Sequence, residues 1–164
     1  GNWDVSNVTS GFNMFNEASQ FNGDISSWDV SSMQDVSQMF QDAVAFNQNI
    51  GAWDTSQVAD FSLAFSGATN FNQDIGAWNT SNALNMVGMF YGAAAFDQDI
   101  GSWDVAKVTR MDGLFLNATS FNQDLSTWDV GYFTSEPTDF ATNATNWSLS
   151  KPNWGASSRT TSIV

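Results

Sequence analysis

Oxygen-bearing side chains recur on a fixed beat in this chain, and they are the groups with which it could do chemistry. One file of acids reads Asp4, Asp29, Asp54, Asn79, Asp104 and Asp129, each directly after a tryptophan. If the segments that carry them stack as a sheet, the carboxylates stand about 5 Å apart, where two charges in water repel by roughly 1 kcal/mol. Something must offset that repulsion. Calcium takes about six to eight hard oxygens, so an ion laid along Asp4, Asp29, Asp54, Asp104 and Asp129 is one reading, and a basic partner is another. The structural alternative is that each Asp accepts hydrogen bonds from a Ser or Asn two or three residues on and closes a corner. Turn chemistry favours that alternative.

A second pattern sets Asn22, Asn47, Asn72, Asp97 and Asn122 two residues before Asp24, Asn49, Asp74, Asp99 and Asp124. The Asx-x-Asx spacing presents two oxygens but lacks the Gly and the closing Glu of a calcium loop. Free interchange of Asn and Asp fits an internal ladder that satisfies turn amides. A third set is small and polar: Ser6, Ser31, Ser56 and Ser81, with Ser27 and Ser102 beside Ala52, Ala77 and Thr127. It defines an expected interaction face without the exposed rings that stacking on a sugar requires. Asn-x-Ser/Thr sequons at Asn7, Asn79, Asn117, Asn143 and Asn146 are candidate N-glycosylation acceptors in a eukaryotic secretory setting and silent ones in a bacterium.

Catalysis fits poorly. The chain has no His, so imidazole cannot serve as general base. Carboxylate pairs abound, as in a glycosidase, but they recur in every unit, whereas a catalytic site should break the repeat. With a net charge of −13 and no Lys or Arg before Lys107, nucleic acid is excluded as a partner and an anionic membrane surface is disfavoured. No apolar run approaches the roughly 18–20 residues that span a bilayer, so no membrane insertion is expected in this segment. There is no cysteine, hence no disulfide framework and no thiolate metal site.

What must position these groups is a repeat. Trp3, Trp28, Trp53, Trp78, Trp103 and Trp128 are spaced 25 residues apart without an insertion. Phe15, Phe40, Phe65, Phe90, Phe115 and Phe140 keep the same period, as do Phe21, Phe46, Phe71, Phe96 and Phe121. Ala18, Ala43, Ala68, Ala93 and Ala118 form another column, and Ile25, Ile50, Ile75, Ile100 and Leu125 another. One unit cannot bury so many apolar groups alone, but stacked units can share a continuous core, which predicts a repeat solenoid. Trp-Asp-Val alternates in, out, in and predicts one short strand per unit, stacked in parallel. The spacing of Val-Thr-x-Met-x-x-Met-Phe fits a short helical turn or a second bent strand, and a helical or 3₁₀ turn is the favoured expectation. Residues 1–130 are expected to hold five or more tandem repeats, opening within a unit as a trimmed piece of something longer. Phe140 keeps the spacing while Ala144 and Trp147 fall one place late, so 131–155, with Pro137 and Pro152, is read as a divergent last repeat and cap. Residues 156–164 are read as linker.

The unit Phe-Asn-x-Asp-Ile-x-x-Trp-Asp-Val-Ser-x-Val-x-x-Met-x-x-Met-Phe-x-x-Ala resembles the repeat of BspA-type leucine-rich-repeat surface proteins over residues 1–130. The tail Ala144-Thr145-Asn146-Trp147-Ser148-Leu149-Ser150-Lys151-Pro152 resembles how such arrays finish. The resemblance implies a right-handed, leucine-rich-repeat-like β-solenoid exposed on cells or secreted, with roles in adhesion and protein interaction. It carries over no catalytic residue, because the shared motif is a core motif. The expectation is therefore a non-enzymatic, extracellular or cell-surface scaffold without a cofactor, bound to a protein or surface ligand on host or neighbouring cells. A calcium-dependent module and an end-to-end filament subunit are the alternatives.

Overall fold

A computed structural model describes residues 3–156. Consecutive units lie against one another and share a single apolar interior. Trp53, Trp78, Trp103 and Trp128 are 3–5% exposed, and Phe40, Phe46, Phe65, Phe71, Phe90, Phe96, Phe115 and Phe121 are buried. The rings form columns. Phe15, Phe40, Phe65, Phe90 and Phe115 step by 5.5–5.8 Å between centroids, with their planes nearly parallel. Phe21, Phe46, Phe71, Phe96 and Phe121 form a second column at 5.8–6.0 Å. Within a unit the two phenylalanines also stack, as Phe65 does on Phe71 at 4.1 Å. Trp78 lies 6.4 Å from both Trp53 and Trp103.

The four fully buried indoles each have an acceptor in the unit before them, whereas the buried Nε1–H groups of half-buried Trp28, Trp147 and Trp154 have no hydrogen-bond partner among the described residues. The Nε1–H of Trp53, Trp78, Trp103 and Trp128 donates to the carbonyls of Ile25, Ile50, Ile75 and Ile100 at 3.0–3.2 Å. A buried indole without that bond would carry an unsatisfied donor, so the Trp and Ile columns depend on each other. Trp3, at one end of the described stack, is 65% exposed. The two threonines of the Val column stay dry in the same way: the buried Thr55 and Thr80 hydroxyls donate to the carbonyls of Asn79 and Asp104.

The backbone departs from the expected elements. Among the described residues there is no α-helix, no 3₁₀-helix and no continuous strand. Trp-Asp-Val makes no strand, because its Asp bends the chain at once: the Ser31 N–H donates to Asp29 Oδ1 and the Met33 N–H to the Val30 carbonyl. Parallel pairing falls instead at single residues seven places after Trp, through the bridges Ser10–Asp35–Asp60–Asn85–Arg110. The stretch expected to be helical is a succession of turns. In residues 36–42 the N–H groups of Val36, Gln38, Phe40 and Asp42 donate to the next unit, at the carbonyls of Asp60, Ser62, Ala64 and Ser66. Those of Met39 and Gln41 donate three residues back, to Val36 and Gln38. Left-handed backbone at Gln38 and Asp42 (φ 57° and 56°), repeated at Asn13 and Glu17, turns alternate amides outward, which a helix cannot do.

The last unit is slipped by one residue. Phe90 N–H donates to Leu114, 24 residues on, but Phe115 N–H donates to Phe140, 25 on, and Asn117 likewise to Thr142. Phe140 therefore leaves the phenylalanine column, despite its spacing, and occupies the place of Leu114. Trp147 takes the place of Phe121. The extra residue is absorbed across 134–137, where Pro137 offers no N–H to a ladder. The rings here meet edge to face: Trp147 lies 4.8 Å from Phe121 at 84°, and Trp154 lies 4.9 Å from Phe140 at 78°. Lys151 Nζ sits 5.5 Å over the Trp147 ring and 3.6 Å from Glu136 Oε1. Of the expected linker, 157–164 lies outside the described residues.

Candidate functional site

The acidic file after Trp closes corners. Asp4 Oδ1 accepts the Ser6 N–H and hydroxyl at 3.1 and 2.7 Å, and Asp29 Oδ1 accepts those of Ser31 at 3.1 and 2.6 Å. Asp54, Asn79, Asp104 and Asp129 accept the N–H of Ser56, Ser81, Ala106 and Gly131. The hydroxyl of Ser31, followed by its N–H, holds the Asp29 carboxyl below the usual carboxylate range; the opposing push from Asp4 and Asp54 is smaller. Hydrogen bonds from Ser6 and Ser56 do the same for Asp4 and Asp54. At Asp29 the serine of its own unit thus outweighs the repulsion from its neighbours in the file. Among the described residues no three acidic side chains come together in a way that would hold a metal ion.

The Asn/Asp file is a ladder between units. Asn47 Oδ1 accepts the Asn72 N–H and Gln73 Nε2, both at 3.0 Å. Asn72 serves Asp97 and Gln98, and Asp97 serves Asn122 and Gln123, at 2.7–2.9 Å. The glutamine column Gln48, Gln73, Gln98, Gln123 went unread in the sequence, although its period was visible. Asp24 and Asp124 close further turns, and the serine hydroxyls at Ser26 and Ser126 hold these carboxyls below the usual range. Gly76 follows Asp74 in this corner because a Cβ there would stand 2.6 Å from the Asp99 carbonyl of the next unit. The bridge file also went unread: Asp35 and Asp60 each accept the N–H and hydroxyl of Ser37 and Ser62, and Asp60 Oδ2 accepts Asn85 Nδ2.

The serines expected to form an interaction face divide. Ser6 and Ser31 are half-buried and engaged with their aspartates, Ser56 and Ser81 are half-buried at the same corner, and Ser102 donates to the Gly76 carbonyl. Ser27 is exposed. Of the sequon asparagines, Asn7, Asn79, Asn143 and Asn146 are exposed; half-buried Asn117 accepts the Asn143 side-chain amide at 2.8 Å. On the turn face a group that periodicity did not reveal stands out: Leu63, Val87, Tyr91 and Leu116 line one apolar depression over Gly88 and Gly113. The described residues include no helix long and apolar enough to cross a membrane.

Stacked ring columns, interlocked Asx ladders and a 25-residue period define a repeat protein. The family model described as "Mycoplasma protein of unknown function, DUF285" matches residues 1–72 and 48–154, and the chain belongs to that family. No curated protein and no solved structure matches it.

Proposed function

We propose that this chain is a non-enzymatic interaction scaffold of the BspA-like, leucine-rich-repeat-like solenoid kind, working at the cell surface or outside the cell as an adhesive array. One observation carries the reading: the acids that recur in every unit are hydrogen-bonded into turns and ladders, so their regular chemistry is architectural. A rigid acidic stack suits binding to another protein, with its interior supplying stability and its departures from the repeat supplying selectivity. Labelling of intact cells with a membrane-impermeant amine reagent, followed by capture of the protein and its cross-linked partners, tests the reading. Labelling before lysis with a cross-linked partner protein supports it. A protein reached only after lysis contradicts it.

A further inference from the structure

A repeat makes departures from its own rule informative. Nine, ten and thirteen places after Trp the second unit reads Ser37, Gln38, Gln41, all polar. The later units place Leu63, then Val87, Gly88 and Tyr91, then Asp112, Gly113 and Leu116 at these positions. The substitutions converge on a depression of about 270 Å³ on the turn face.

Its construction is specific. Leu63 occupies the left-handed region at φ 56°, where its counterparts are Asn13, Gln38, Gly88 and Gly113. A bulky apolar residue is disfavoured there, and strain of this kind points to a role. Gly88, at φ 58°, makes room for it: a Cβ on Gly88 would stand 2.7 Å from Leu63 Cδ2. Leu63, Val87 and Leu116 are half-buried, and Tyr91 is 42% exposed. The volume suits one or two apolar side chains. Two exposed acids flank it. Asp112 Oδ1 accepts the Thr138 N–H at 3.0 Å, and Asp139 Oδ1 accepts the Thr142 hydroxyl at 2.9 Å. The nearest base in sequence is the exposed Arg110, two residues before Asp112.

We propose that the Leu63–Val87–Tyr91–Leu116 depression seats an apolar side chain from an extended, cationic segment of a partner protein, with basic groups beside that side chain meeting Asp112 and Asp139. Charge complementarity selects this occupant: a chain of net charge −13 repels a second copy of itself and anionic surfaces alike. The proposal deepens the interaction-scaffold reading and rests on it.

The test is methyl and aromatic NMR of the 164-residue chain titrated with a ten-residue peptide of alternating Lys and Leu, and with the Glu-Leu peptide as control. Saturable shifts at Leu63, Val87, Tyr91 and Leu116 with the Lys-Leu peptide alone are expected. Leu63→Asn, which installs the residue already left-handed at Asn13, should weaken binding at least tenfold without lowering the melting midpoint. Asp112→Asn with Asp139→Asn should weaken it several-fold and flatten its salt dependence. Shifts spread over the acidic files and indifferent to Leu63→Asn would overturn the proposal. So would equal binding of the Glu-Leu peptide, or peptide-free dimerisation abolished by Leu63→Asn. Because the peptide is offered in solution, failure here leaves surface exposure untouched, and a cytosolic location leaves the peptide result untouched.

Discussion

Replacing Trp78 by Phe removes one ring from the middle of the indole column and leaves the rest of its unit intact. Two losses follow. The Nε1–H bond to the Ile50 carbonyl, 3.0 Å long and buried, disappears and leaves that carbonyl without its partner, which costs about 1 kcal/mol. The void where the indole was wider than a phenyl ring adds about 1–2 kcal/mol, because Trp53 and Trp103 are held by their own bonds and cannot close on it. The total is about 2–3 kcal/mol. For a chain of this size each kcal/mol lowers the midpoint by about 2–4 °C, so the variant should melt roughly 5–10 °C lower. Trp3→Phe is the matched control: Trp3 is 65% exposed, and the change should stay within about 0.5 kcal/mol. Differential scanning calorimetry reads both without relying on tryptophan fluorescence. An unchanged midpoint for Trp78→Phe, or an equal drop for Trp3→Phe, would refute the idea that shared indole burial joins the units.

Three further outcomes are expected. Asn72→Ala strips the acceptor from the Asp97 N–H and Gln98 Nε2 and should cost about 1 kcal/mol by urea unfolding, whereas Asn72→Asp should be near neutral, since Asp97 performs the same task one unit on. Asp4, Asp24, Asp29, Asp54 and Asp124 have folded values below 3.8; their contribution to stability is therefore present above that pH and lost as the pH falls through the folded values. With no His, the midpoint should be flat from about pH 5 to 8 and drop below about pH 4; a steep change near neutrality would contradict this. Because each acid of the Asp file accepts the N–H two residues on, melting in millimolar calcium and in chelator should give one midpoint, and a rise with calcium would restore the ion-ladder reading.

What the sequence made legible was what periodicity encodes. Large rings must be buried, so the Trp and Phe columns announced a shared interior, and Asx chemistry announced the corners. The backbone was harder to read. Met-x-x-Met-Phe spacing mimics a helical stripe, yet left-handed residues such as Gln38 and Asp42 carry no apolar signature and overrule it. The slip of the last unit was half legible: Ala144 and Trp147 fall one place late, but Phe140 falls by coincidence on the phenylalanine spacing while occupying the place of Leu114. Leu63, Val87, Tyr91 and Leu116 sit in three different columns, and only the turn geometry brings them to one depression.

Hydrogen exchange at the tryptophan side chains goes most directly to the shared interior. Followed by NMR in the native state, the indole N–H groups of Trp53, Trp78, Trp103 and Trp128 should exchange orders of magnitude more slowly than that of Trp3, since each is buried and bonded to an Ile carbonyl in the preceding unit. Uniformly fast exchange at all five would mean that the units do not share a core.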